Sequence, residues 1–479
     1  MKVIVAIANY GMKNVEYLKK LIQEYRSMSF EVDIFVLSEA PKDFGKDVTV
    51  LVGLPSKDPW SLPFIHKSLF AEMVDNYDVF IYSEDDTLIR QENILAFLGA
   101  TEILGEDILP GFIRYELNPN GEKNYTDIHG QYHWIPGSVS QSGQYIFAKL
   151  SNDHSACYML TQGQLRKAII SGGFLVPPHS GRYDLICTAG NDPYTQCGFT
   201  KVICISHLHG FELHHLSNAY LNFNGLITNN CAGLNEDGYK LQIKALQQVL
   251  EKKRSDRELF ITEKSLVTPV WDKKYYEPCR NEIVRMIPDS AQNILSVGCG
   301  WGVMEAYLQE NGKGVMAIPL DSVIGKLAEE RGISILPPDF KQAFEMLGER
   351  KFEAIIVPDI LQHLSNPVEI LIKLRDFLCV DGVIVGCVPN LNISRMIGGR
   401  LFANKNKWAY LNDGFKKTSL NMTNKAMIKK WLRMSNLYTL ELHYDNFTLS
   451  SSLALLTTNL PGYLTASSIT FVAKKMVIR

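Results

Sequence analysis

Short β-branched runs alternate with helical stripes twice along this chain, and that repetition restricts it to α/β architectures built on mostly parallel sheets. In the first run the strand signals are VIVAIA, EVDIFVLSEA, VTVLVGL and YDVFIYSEDD. Val15, Leu18, Leu21, Ile22 and Tyr25 form one helical stripe between them, and Ile65, Leu69 and Met73 another. From residue 110 to 235 the pattern loosens into Gly, Asn, His and Pro, as expected of long site-building loops. A second run starts near residue 270 with NILSVG, GVMAIPL, FEAIIVP, GVIVGCVP and ASSITFVAKK, and helices are predicted around 323–331, 368–378 and 425–434. The expected fold is therefore two doubly wound α/β domains, 1–236 and 270–479, joined by a helical and charged connector over 237–269.

With 479 residues the chain is too long for one ordinary core. Its formal net charge of −2 offers no basic footprint for nucleic acid. The nine cysteines contain no CxxC pair, which favours free thiols in a reducing compartment over a disulfide framework or zinc site. MKVIVAIANYG is too short and too soon broken to read as a signal peptide, and no apolar run approaches a transmembrane segment. These features predict a cytoplasmic protein.

ILSVGCGWG places Gly298, Gly300 and Gly302 between a strand and a helical pattern. A loop without side chains there lets backbone approach a nucleoside closely, or serves only as a tight turn. This segment resembles the class I S-adenosylmethionine-dependent methyltransferases, whose first motif ILSVGCGWG matches. The longer stretch FEAIIVPDILQHLSNPVEILIKLRDFLCVDGVIVGCVPN looks like the family's central segment. The resemblance implies a Rossmann-like domain that binds S-adenosylmethionine. Two departures stand out: Ser296 occupies the place of an acid before the first glycine pair, and Pro319 the place of an acid ending the second strand. Asp321 is the alternative ribose ligand or a helix cap. Asp359 would touch the cofactor's methionine part or cap the next turn. His363 would act as general base for an O-methylation, or pack as a hydrogen-bonded histidine.

FIYSEDDTLI ends a buried-looking strand on Glu84, Asp85 and Asp86, which repel one another unless a cation joins them. Mn²⁺ or Mg²⁺ at a strand tip would neutralise a diphosphate; a solvated acidic turn is the plain alternative. Residues 1 to about 225 resemble the GT-A glycosyltransferases in pattern and order. That resemblance makes Asp86 the main metal ligand and gives Glu84 or Asp85 a metal or ribose contact. It places Ala8, Asn9, Tyr10, Ser38 and Glu39 around the base and ribose of a nucleotide-sugar donor. An inverting transfer needs a carboxylate base, for which Asp184 is preferred to Asp192, the latter reading as a turn before Pro193. Four histidines crowd SHLHGFELHH, and His215 is the candidate for a further metal ligand.

Together these readings predict a bifunctional enzyme of glycan biosynthesis. It would transfer a sugar from a nucleotide sugar to a glycan or glycolipid acceptor and O-methylate a sugar; a homodimer is left open. The rival is a glycosyltransferase whose second domain has lost catalysis and serves binding or dimerisation.

Overall fold

In the computed structural model the described residues are 1–125, 132–221, 234–255, 273–391, 415, 420–447 and 466–476. The chain forms two compact units, Met1–Leu250 and Glu251–Arg479. Among the described residues no helix is long and apolar enough to cross a membrane. The eight described cysteines are free thiols.

The first unit is built on β1 (Lys2–Ala8), β2 (Glu31–Ser38), β3 (Val48–Val52) and β4 (Val79–Glu84), all parallel. Downstream lie β5 (Thr87–Leu88), β6 (Ile113–Leu117), β7 (Cys157–Thr161), β8 (Thr200–Cys204) and β9 (Glu212–His215). The main sheet runs β7-β4-β1-β2-β3, with β7 antiparallel at one edge. Its strands read as continuous apolar runs because both faces are covered. Val3, Val5 and Ile7 pack with Leu18, Leu21, Ile22 and Tyr25 of α1 (Val15–Arg26) on one face. Ile4 and Ala6 pack with Phe70, Phe80 and Tyr158 on the other. A second sheet sets β6 beside β9 and β9 beside β5, bringing His215 opposite Thr87.

Asp184 caps α2 (Leu185–Thr195), accepting the Cys187 N–H at 2.9 Å. Asp192 lies inside that helix, fully buried and ion-paired with Lys67, so the turn expected before Pro193 is helix instead. The amphipathic stretch expected to open the connector is α3 (Glu236–Leu250), which belongs to the first compact unit. Tyr239 of that helix stacks on Tyr125, with ring centroids 4.1 Å apart, and meets Trp134 edge-on. Most of the remaining connector, 256–269, lies outside the described residues.

The second unit carries β10 (Asn293–Cys299), β11 (Gly314–Pro319), β12 (Ser334–Ile335), β13 (Phe352–Pro358), β14 (Leu378–Pro389), β15 (Leu437–Phe447) and β16 (Ala466–Lys475). They form one seven-stranded sheet in the order β12-β11-β10-β13-β14-β16-β15. The first five are parallel, and β16 runs antiparallel to both its neighbours. The expected helices are found at Gly325–Glu330, Pro367–Asp376 and Lys425–Met434. In both units the order of the parallel strands reverses once, between β1 and β4 and between β10 and β13. Such a switch point opens a crevice at the carboxyl ends of the strands, where ligands of open α/β sheets bind.

Candidate functional site

At the switch point of the second unit the chain leaves β10 through Gly298 and Gly300, then enters α4 (Val303–Glu310) at Gly302. Gly298 has a φ of +94°, a backbone state that a side chain strains. Gly300 is required by contact: a Cβ there would lie 2.1 Å from the Tyr275 carbonyl oxygen. Segment 273–280 therefore lies directly against the glycine loop. Between them is a solvent-open pocket, lined by Lys273, Tyr275, Glu277, Arg280, the glycine loop, Glu305 and Pro358.

The pocket is strongly ionic. Arg280 pairs with Asp359 and, at 3.2 Å, with Glu277, which is also paired with the buried Lys273. Asp359 directly follows β13 with a φ of +50°, a left-handed backbone that costs a non-glycine residue about 1–3 kcal/mol. It is held there by its N–H, which donates to the Cys387 carbonyl at 3.0 Å, and by its side chain, which meets Arg280 and accepts from the Cys387 thiol at 3.0 Å. Burial would raise the Asp359 pKa, but Arg280 and Lys273 bring it below the usual carboxylate value. Burial pulls the Lys273 ammonium down to about 8, against the pull of Asp359.

Ser296 is buried, and its hydroxyl donates to Glu305 Oε1 at 2.6 Å. Glu305, also buried, projects from α4, so a helix nine residues on delivers a carboxylate beside the position where the loop motif lacks one. Asp321 lies two residues beyond β11, fully buried, with Oδ1 accepting the N–H groups of Val323 and Ile324 at 2.8 Å each. It thus caps the turn after the strand. Burial pushes its pKa up to about 6, opposed by those N–H groups and the Tyr275 hydroxyl. His363, on the short helical turn Leu361–His363, is 1% exposed. Burial, with Lys273 adding, drives its pKa down to about 3 against the pull of Asp359, so the imidazole is neutral at physiological pH.

The switch point of the first unit gathers most of the residues expected there, in a different arrangement. Ala8 ends β1 in register with Glu84. Both oxygens of the buried Asp85 are taken: Asn9 Nδ2 donates to one at 2.6 Å and Asn14 Nδ2 to the other at 2.7 Å. Lys42 donates in turn to Asn9 Oδ1 at 2.7 Å and reaches Glu39 at 3.5 Å. Glu39 also accepts the Gly11 N–H at 3.1 Å. Ser38 is buried and turns its hydroxyl to the Ala40 carbonyl at 2.8 Å, while Tyr10 is exposed. Glu84 pairs with Arg114 at 3.5 Å, and Asp86 with His215 Nε2 at 3.1 Å. His215 Nδ1 is bound to Glu116 at 2.6 Å.

Of the expected metal ligands, Asp86 and His215 are in contact, while Glu84 is turned to Arg114. Among the described residues no group of three His, Cys, Asp or Glu side chains is placed to hold a metal ion. Arg114 and His215 stand beside Glu84 and Asp86, and two asparagines beside Asp85. Asp184, expected as a transfer base, spends a carboxylate oxygen on its helix cap. Lys273, Glu277, Arg280, Glu305 and Glu116 were not singled out by the sequence. A charged cluster amid aromatics in DKKYYEPCR, and a glutamate on the apolar face of VMEAYLQE, were the available signals.

Residues 278–399 match the family described as "Methionine biosynthesis protein MetW". A stretch of 103 residues is 32% identical to the "Ubiquinone biosynthesis O-methyltransferase" of Actinobacillus pleuropneumoniae serotype 7 (strain AP76), covering 19% of this chain and 44% of the relative. A protein of the same description from Xylella fastidiosa (strain 9a5c) is 34% identical over 94 residues, covering 19% and 38%. The second unit is similar to S-adenosylmethionine-dependent methyltransferases. The chain spans less than half the length of the curated relatives it matches. A solved "SAM dependent methyltransferase" from Archaeoglobus fulgidus superposes with a TM-score of 0.31 at 15% identity, over 41% of this chain and 92% of its own, which is too loose to carry weight.

Proposed function

We propose that the second unit transfers a methyl group from S-adenosylmethionine to an acceptor oxygen. The observation that carries this reading is the glycine loop at the β10/β13 switch point, facing a pocket that holds both acids and bases. The side chains fit a ligand that carries an ammonium, a carboxylate and a nucleoside. Glu277 and Glu305 suit the ammonium, and Lys273 and Arg280 the carboxylate. The bare backbone at Gly298 and Gly300 allows close approach. When bound, S-adenosylmethionine supplies an electrophilic methyl group.

The chain's own residues then have two tasks. Arg280 and Asp359 fix the rim of the pocket through their ion pair. His363, kept neutral by burial, is the candidate to take the proton of the acceptor hydroxyl, and the bound acceptor would have to stabilise an imidazolium that burial alone disfavours. His363→Ala should lower methyl transfer by about 10²- to 10⁴-fold, the range expected for a lost acid–base group, and leave S-adenosylmethionine affinity unchanged. Equal loss of binding and turnover in a radiolabelled-methyl assay would make His363 a packing residue.

For the first unit, the reading supported by its strand-tip acids is sugar transfer from a nucleotide sugar to a glycan or glycolipid, with Mn²⁺ or Mg²⁺ recruited to Asp86 and His215. This rests on the sequence resemblance and on the position of Asp85, Asp86 and His215 at the β1/β4 switch point. Metal entry would have to displace the Asp86–His215 contact. Calorimetry with Mn²⁺ and a panel of nucleotide sugars tests it, and no heat from any of them would rule it out.

A further inference from the structure

Lys201, on β8, is 7% exposed, and among the described residues no carboxylate lies within ion-pair distance of its ammonium. Its Nζ donates to the carbonyls of His154 at 2.8 Å and Asp153 at 3.5 Å. The Asp153 carboxylate is turned to Arg182 at 3.1 Å instead. The Tyr194 ring lies 5.7 Å away, which offers cation–π attraction but no counter-charge. Burial pulls the Lys201 pKa down to about 8, Asp153 opposing. The side chain runs beside Gly111, where a Cβ would come within 2.5 Å of its Cε, so the chain keeps room for this lysine.

A buried charge is ordinarily paired, because desolvation otherwise costs more than folding can spare. This one lines a solvent-open pocket, together with Arg114, Phe112, Leu150, Cys157 and Leu213. Arg114 is the second cation there, and its carboxylate, Glu84, stands at 3.5 Å, longer than a tight bidentate pair. Cys157 adds no negative charge, since burial raises its thiol to about 12. The pocket thus has a cationic end and an apolar wall, and among the described residues its lining carries no carboxylate, Glu84 standing beyond it on Arg114. It also adjoins the acidic strand tip: the Glu84 N–H donates to the Ala156 carbonyl at 3.2 Å, beside Cys157.

We infer that this pocket is a binding site for an anionic group, a phosphate or a carboxylate carried on an apolar body, with Lys201 and Arg114 as its counter-ions. The anion supplies the charge that Lys201 lacks and draws Arg114 from Glu84. The site stands apart from the methyl-transfer reading, which concerns the other unit.

The test is isothermal titration of the full chain, at fixed ionic strength, with phenyl phosphate, phenylacetate and neutral benzyl alcohol. Saturable one-to-one binding of at least one of the two anions is expected, and the tighter of them identifies the headgroup. Lys201→Met, which keeps the side chain's length, should weaken that binding about ten- to a hundredfold, the value of a charge-assisted hydrogen bond. If Lys201→Met fails to fold by circular dichroism, Arg114→Gln serves, with the same loss expected. Absence of binding by both anions to the native chain, as expected if Lys201 only braces the loop carbonyls, would overturn the inference. So would equal binding by the folded variant, or equal binding of benzyl alcohol.

Discussion

The two switch points are built on one geometric plan and filled in opposite ways. In the first unit the carboxyl ends of β1 and β4 are tied together by side chains: Asn9 and Asn14 hold Asp85, and His215 holds Asp86. In the second unit the end of β10 is bare glycine backbone, and the one acid that follows β13, Asp359, is met by Arg280 from a segment 79 residues away in the chain. The other polar groups arrive from outside the strands, from segment 273–280 and from α4. A switch point thus offers a crevice but does not dictate its contents. Acids placed on the strand tips recruit local amides and imidazole, whereas glycines leave the crevice open to remote ions and to a nucleoside.

That contrast can be broken at several points. The largest effect is expected at Gly300→Ala, whose Cβ would meet the Tyr275 carbonyl at 2.1 Å and push segment 273–280 off the loop. S-adenosylmethionine binding should disappear from calorimetry, with the first unit's unfolding transition unmoved. Next is Arg280→Ala, which takes from the buried Asp359, in its left-handed backbone, its ion-pair partner and leaves it only the more distant charge of Lys273. Urea unfolding should show the second unit destabilised by about 3–5 kcal/mol.

A pH effect follows from Asp321. Its folded pKa of about 6 exceeds the ordinary value of 3.8, so the native state keeps a proton that the unfolded chain releases. Its favourable contribution is complete below the unfolded value and is lost as pH rises through the folded one, a change of about 3 kcal/mol. Asp321→Asn should flatten the stability of the second unit between about pH 4 and 6, seen as a constant urea midpoint. The smallest effect is expected of Asp184→Ala in the first unit, where the loss of one helix cap costs about 1 kcal/mol. A much larger loss of any transferase activity at unchanged stability would restore Asp184 to a catalytic role.

Much of this fold was legible because apolar alternation and strand-end punctuation are local signals. The helices at 368–378 and 425–434 fall within two residues of Pro367–Asp376 and Lys425–Met434. The placement of Glu84, Asp85 and Asp86 at a strand tip, and of the glycines after β10, was legible for the same reason. What the sequence did not disclose was which charge meets which. Arg280 and Asp359 are 79 residues apart in the chain and Glu116 and His215 are 99, so no spacing rule joins them. The strand-tip acids show the same point: they meet Arg114, His215 and two asparagines, partners that composition counts but does not locate. Ser296 looked like a lost acid only because Glu305 replaces it through a hydrogen bond from another element.

The measurement that bears most directly on the contrast is calorimetric titration of the intact chain with S-adenosylmethionine, repeated on Gly300→Ala and on Asp85→Ala. One-to-one binding in the native chain and in Asp85→Ala, absent in Gly300→Ala, is the predicted result. No binding to the native chain, or binding lost in Asp85→Ala and kept in Gly300→Ala, would contradict it.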